Sequence, residues 1–300
     1  MANDRSDFAP DIRNSAWWAS DTRQAINGHA VETILIKQGK QPPPDLSGVE
    51  AVQMGHIMQP TIGRLASQKL KMELKDADYY LTHPTESWFR SHFDFISADG
   101  STLVEVKNYN SLTRNKFDHD TNRIPDADYA QLLHESAVHR IPKVVLAVLF
   151  GGQEFQTFEF NFTEQEQTDL IKKMAVFWGH VKADTTPAPQ TIEETKLVYS
   201  QSNDGVIVAT GTLERTIGDL KAIKGKIKEL ETVAEQWEVQ IRNELADKAE
   251  IRSFDGNTLV TWKSSKPSMR FSADLFKTSM PDLYEKYIVE MAGSRRFLIK

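Results

Sequence analysis

Residues 143–150 read KVVLAVLF, an apolar run broken only by its leading lysine. It is too short for a stable buried helix and rich in valine, so it predicts a strand buried on both faces. Such a strand has no side to offer to water. The chain therefore needs a sheet with helices packed over both of its surfaces. Two neighbours fit that demand. Residues 154–162 alternate phenylalanine with polar residues, as an adjoining strand would, and residues 126–140 repeat apolar positions at helical spacing.

The rest of the pattern extends this α/β reading, with α and β elements mixed along the chain. Residues 15–37 read as helical. Pro42-Pro43-Pro44 interrupts them, and a second helix is expected from Gly55 to Leu74. Residues 87–96 alternate like a strand, Asp99-Gly100 signals a turn, and residues 103–107 form the returning strand. Residues 163–180 are helical in spacing, and the threonines and prolines of 185–191 mark a linker. A long helical pattern then covers 213–245, followed by two short strands (249–254 and 258–263) and a short helix near 281–291. The expected organisation is a core over 1–182, a crossing segment over 183–210, and a helical region with a small β-hairpin over 211–300.

The 300 residues contain no cysteine, which excludes disulfides and any cysteine-based metal site or nucleophile. No apolar run reaches membrane-spanning length, and the polar opening does not read as a signal peptide. These features together lead to the expectation of a cytoplasmic chain. The formal net charge of −6 argues weakly against a polyanionic partner. That acidity is local: residues 211–300 carry +2, and those before them −8.

The residues that carry chemistry lie within SHFDFISADGSTLVEVKNYN, 91–110. Asp94 closes one expected strand. Glu105 and Lys107, two apart on the next, point to one face, while Val104 and Val106 point to the other. Across a hairpin Asp94 comes beside Glu105. Two carboxylates and a lysine facing one cleft suit a hard cation such as Mg²⁺, which binds a phosphate oxygen and a water. The bland alternative, an exposed strand of alternating charge, is common for Glu-x-Lys alone.

The spacing D-x10-E-x-K resembles the PD-(D/E)XK nuclease core. Its surroundings are similar to the phage recombination branch, the lambda-exonuclease and YqaJ-type proteins. Ala19-Ser20-Asp21 with Gly28, Gly55 to Pro60, Gln131 within ADYAQLLHESAV, VLAVLFGGQEFQTFEF and the closing segment GNTLVTWK to RRFLIK carry the likeness. The resemblance implies a central mixed sheet flanked by helices. It implies Asp94, Glu105 and the Val106 carbonyl as metal ligands, with Lys107 and Gln131 handling the attacking water. It further implies Mg²⁺, replaceable by Mn²⁺, as cofactor, and a terminal 5′-phosphate held by Arg13 and Ser20, with His92 at the DNA. Linear double-stranded DNA cut 5′→3′, a single-strand annealing protein as partner, and a homo-oligomer such as a trimeric ring complete the picture. One departure stands out: Gln59 occupies a position where the family usually has glutamate, which weakens that metal position. Another nuclease of the same core, acting on single strands or as a structure-selective endonuclease, and a weakened DNA-end-binding protein stay open.

Overall fold

The structure, a computed structural model, describes residues 10–77, 79–290 and 293–300. The polar opening up to residue 9 and the end of the last expected helix at Met291 lie outside them. The chain divides into two units, Met1–Tyr199 and Ser200–Lys300.

The first unit opens with α1 (Pro10–Asn14), the two-residue strand β1 (Trp17–Trp18), α2 (Ala19–Gln24), a π-helical turn (Ala25–His29) and α3 (Ala30–Lys37). The single helix expected over 15–37 is thus interrupted twice. Trp17 and Trp18 pair in parallel with Phe89 and Arg90. Gly28 sits at φ 91°, a left-handed conformation that glycine adopts without strain. Next come α4 (Glu50–Leu70), β2 (Leu74–Asp76), β3 (Tyr80–Thr82), β4 (Phe89–His92), β5 (Phe95–Ser97) and β6 (Thr102–Tyr109). The unit is completed by α5 (Asp126–His139), β7 (Lys143–Phe150), β8 (Glu154–Asn161), α6 (Glu164–Ala183) and α7 (Ile192–Val198).

Five strands form one mixed sheet in the order β2-β5-β6-β7-β8. β6 and β7 run parallel, while the other neighbours run antiparallel. As its sequence demands, β7 lies inside the sheet, with everything from Val144 to Phe150 buried. A parallel β6–β7 pair requires a crossover, and α5 provides it. Val104, Val106, Val145, Ala147 and Leu149 face α4 through Ile62 and Ala66. Leu103, Val144, Leu146, Val148 and Phe150 face the opposite cluster, which includes Leu132 and Val138 of α5 and Leu170 and Met174 of α6. The α6 start is fixed by a capping box in which Thr163 and Glu166 bond each other's backbone N–H groups.

The strand expected over 87–96 is really two. β4 belongs to a three-stranded sheet with β1 and β3, and β5 belongs to the main sheet. The break falls at Phe93-Asp94, where the Asp94 carboxylate, not a backbone carbonyl, takes the Val106 N–H at 2.9 Å.

The second unit contains α8 (Gly211–Leu245), the hairpin β9 (Glu250–Arg252) and β10 (Thr258–Thr261), α9 (Ala273–Ser279) and α10 (Pro281–Tyr287). Thr210 caps α8 by accepting from the Leu213 N–H. Among the described residues no helix is long and apolar enough to cross a membrane.

Candidate active site

The turn at Asp99-Gly100 sets the β5–β6 register. Phe95 pairs with Val104 and Ile96 with Leu103. One residue beyond that ladder, Asp94 reaches the level of Glu105. Strand periodicity then puts Glu105 and Lys107 on one face of β6, while Val104 and Val106 anchor the other face against α4.

The four expected residues meet here. Lys107 Nζ donates to Glu105 Oε1 at 2.6 Å, and Gln131 Nε2, from α5, donates to the same oxygen at 2.7 Å. Gln59, from α4, donates its amide to Asp94 Oδ1 at 2.9 Å, while Asp94 Oδ2 is held by the Val106 N–H. Helices from both layers thus converge on adjoining strands. In an extended strand the N–H and C=O of one residue leave by the same edge, so the Val106 carbonyl lies on the Asp94 side of β6.

Electrostatics follow from crowding. Burial, and after it the charge of Glu105, push the Asp94 carboxyl well above the usual carboxylate range. For Lys107, burial favours the neutral amine, but Glu105, Tyr109 and Asp94 outweigh it and hold the ammonium above its ordinary value. Lysine is therefore a fixed cation here, suited to orienting an anion or polarising a water.

Sequence reasoning missed two members. Glu135, 2% exposed on α5, accepts from Gln131 Nε2 at 2.9 Å. Burial, and then the charge of Glu105, raise its carboxyl well above the usual range. The signal was present: Glu135 follows Gln131 by four residues, which puts both on one helix face. Tyr109, two beyond Lys107 on the same face, was missed too. Its hydroxyl donates to Asp128 at 2.9 Å and accepts from Arg23 at 3.1 Å, and burial pushes it up to about 12.

Among the described residues no group of three or more His, Asp or Glu side chains is arranged to hold a metal ion. The donors that are present nonetheless suit one hard divalent cation. Two carboxylates and a strand carbonyl are all oxygen ligands, and a positive charge between Asp94 and Glu105 would offset the burial, and after it the repulsion from Glu105, that raise Asp94. His56, one turn before Gln59 on α4, is exposed.

The residues expected at a phosphate form a second group. Arg13 donates to Ser20 Oγ, and its guanidinium lies 5.5 Å from the Trp18 ring centroid. His92 stacks on the Trp18 ring, with centroids 5.0 Å apart and planes at 17°. Trp18 in turn donates its indole N–H to the Arg13 carbonyl at 3.0 Å. Arg13 and Ser20 line a cavity of about 640 Å³ together with Lys37. The Lys37 ammonium is buried against Asp21 at 2.6 Å. Trp17 and Trp18 are 0% and 1% exposed, so both serve as core. His134 is likewise interior: Thr22 and the Arg90 carbonyl bond its two nitrogens, and burial lowers it to about 3.

No family model matches the chain. It is 25% identical over 305 residues to the uncharacterized protein YqaJ of Bacillus subtilis (strain 168), an alignment spanning 94% of this chain and 93% of that protein. Among solved structures, the alkaline exonuclease LHK-Exo from Laribacter hongkongensis superposes with a TM-score of 0.49. It has 14% identity, covering 58% of this chain and 91% of that one. An exonuclease described as putative, from Eubacterium rectale, gives a TM-score of 0.45 at 10% identity, over 69% and 96% of the two chains. A phage-related exonuclease from Haemophilus somnus 129PT gives 0.43 at 10% identity, over 54% and 81%.

Proposed function

We propose that this chain, similar to YqaJ along nearly its whole length, is a divalent-metal-dependent exodeoxyribonuclease. It digests the 5′-ended strand of linear duplex DNA and leaves a 3′ overhang on which a single-strand annealing protein loads for recombination. The observation that carries the reading is the convergence of Asp94, Glu105, Lys107 and Gln131 on one face of adjoining strands, joined by the Gln131–Glu105–Lys107 hydrogen bonds. Such a set has the parts that phosphodiester hydrolysis needs.

Asp94, Glu105 and the Val106 carbonyl would hold Mg²⁺ or Mn²⁺, with Gln59 contributing at most a neutral amide oxygen. Bound there, the cation supplies a polarised phosphate oxygen and an acidified water. Lys107 stays protonated beside Glu105, which suits it to orienting that water and countering charge on the pentavalent phosphorus. Gln131 fixes the Glu105 carboxylate from the helix side. Arg13 and Ser20, with His92 behind Trp18, would receive the terminal 5′-phosphate. An arginine fork and a hydroxyl match that anion.

A linear duplex labelled at its ends tests the reading. Mg²⁺-dependent release of nucleotides from 5′-phosphorylated ends, with closed circles untouched, is expected. Nicking of circles would assign the same site to an endonuclease, and preference for single strands would assign it to a different exonuclease. A second reading, a DNA-end-binding protein with decayed catalysis, draws on Gln59 standing where a carboxylate would serve a metal better. It requires end binding without any Mg²⁺-dependent cleavage that Lys107→Ala removes.

A further inference from the structure

We infer that α8 is a coiled-coil seam by which a second copy of this chain associates, parallel and in register. The helix runs 35 residues, Gly211–Leu245, about 52 Å of rise. Within the second unit, every residue from 211 to 244 except Leu220 is exposed. Ile223 is 54% exposed, Ile227 48%, Leu230 69%, Trp237 66% and Ile241 38%.

These exposed residues are not scattered. Set in a seven-residue repeat, the first core position is filled by Leu213, Leu220, Ile227, Ala234 and Ile241, and the second by Thr216, Ile223, Leu230, Trp237 and Glu244. From Leu220 to Ile241 every core position is apolar. That is the 3.5-residue period of a helix–helix seam, with Ile217 and Val233 flanking it and Val239 on the outward face. Gly218 and Gly225 fall on the outward face, where an added Cβ would meet nothing within 4 Å. Interior glycines weaken a lone helix, so the length of α8 calls for a partner along the seam.

Charge favours the same helix as that partner. In a parallel, in-register pair, each residue just before a first core position faces the partner residue five further on. Asp219 then meets Lys224 of the other copy, and Lys226 meets Glu231, each twice by symmetry. The remaining flanking pairs, Thr212 with Ile217, Val233 with Glu238 and Gln240 with Leu245, set no like charges together. Lys224 also lies 6.0 Å from the Phe297 ring, so Lys226 and Glu231 make the cleaner test pair.

The experiment is sedimentation velocity of the full chain over a concentration series. Wild type self-associates. Lys226→Glu, which turns two attractive contacts into repulsive ones on an exposed surface, weakens association about tenfold. Lys226→Glu with Glu231→Lys restores it. Direction is read independently with Leu220→Cys in this cysteine-free chain. A parallel seam puts the two thiols face to face, and oxidation gives a covalent dimer. A monomeric wild type, association indifferent to Lys226→Glu, or absence of the covalent dimer would each overturn the inference. None of these readouts depends on nuclease activity.

Discussion

The Gln59 amide donates to Asp94 Oδ1 at 2.9 Å, so the helix-borne residue at this carboxylate is a neutral donor. That contact steadies a crowded carboxylate without metal and adds no charge for a cation. Gln59→Glu should reverse the balance. The new carboxylate faces Asp94 and Glu105 unpaired, costing about 1–3 kcal/mol of metal-free stability. Added Mg²⁺ should then stabilise the variant more than wild type and bind it about tenfold more tightly, since ligand charge sets affinity at such sites. Thermal unfolding with and without Mg²⁺, and calorimetric titration, read both effects. A variant no less stable than wild type without metal would contradict this account of the Gln59 contact.

Lys107→Ala should reduce any Mg²⁺-dependent DNA cleavage by about 10²- to 10⁴-fold, the usual range for a positioned charged group at a reacting centre. The structural cost should be smaller, because the Lys107 side chain is 21% exposed and Gln131 still donates to Glu105. Duplex cleavage rates beside a circular dichroism spectrum separate the two. Full activity would remove Lys107 from the mechanism.

How much of this was legible depends on how local the determinant is. The Asp94, Glu105 and Lys107 arrangement could be read because one turn, Asp99-Gly100, sets the register and strand periodicity does the rest. The buried β7 could be read because no polar residue interrupts it. The β4–β5 break could not, since the alternation of Phe93-Asp94-Phe95 runs straight through it. What ends the strand is a side chain capturing the N–H of Val106, twelve residues away. β1 escaped because two residues are too short for any period, and its pairing with Phe89 and Arg90 is a long-range event. Glu135 was visible as a spacing from Gln131, but only burial distinguishes it from a solvated helix glutamate.

Gly63 sets how closely α4 approaches the sheet. A Cβ at this position would clash with the Phe95 ring. Gly63→Ala should therefore destabilise by about 1–3 kcal/mol despite alanine's better helix propensity. Because α4 also carries Gln59, the shift should loosen the Gln59–Asp94 contact. Gly55→Ala on the same helix meets nothing within 4 Å and should be neutral or stabilising by up to about 1 kcal/mol. Urea unfolding midpoints of the pair decide it, and equal behaviour would remove the close-approach argument.

Glu135 makes a pH-dependent prediction whose sign is fixed by its environment. Burial, then Glu105, raise its native carboxyl well above the ordinary value of 4.5. The native state thus holds a proton that the unfolded chain has released, and stability falls as pH rises from about 4.5 through the raised native value. A glutamine side chain at this position cannot ionise and can still accept from Gln131. In metal-free protein, Glu135→Gln should therefore gain stability over wild type as pH rises, by up to about 1.4 kcal/mol per pH unit within that window. Asp94 slopes the same way, while His134, lowered to about 3, slopes the opposite way below about 6.5. Both remain in each protein, so to first order they cancel from the difference. Urea midpoints of the two proteins between pH 4 and pH 8 measure it. A difference that stays flat, or that favours wild type at high pH, would mean that Glu135 ionises as freely in the folded chain as in the unfolded one, without the burial and the Glu105 charge that raise it.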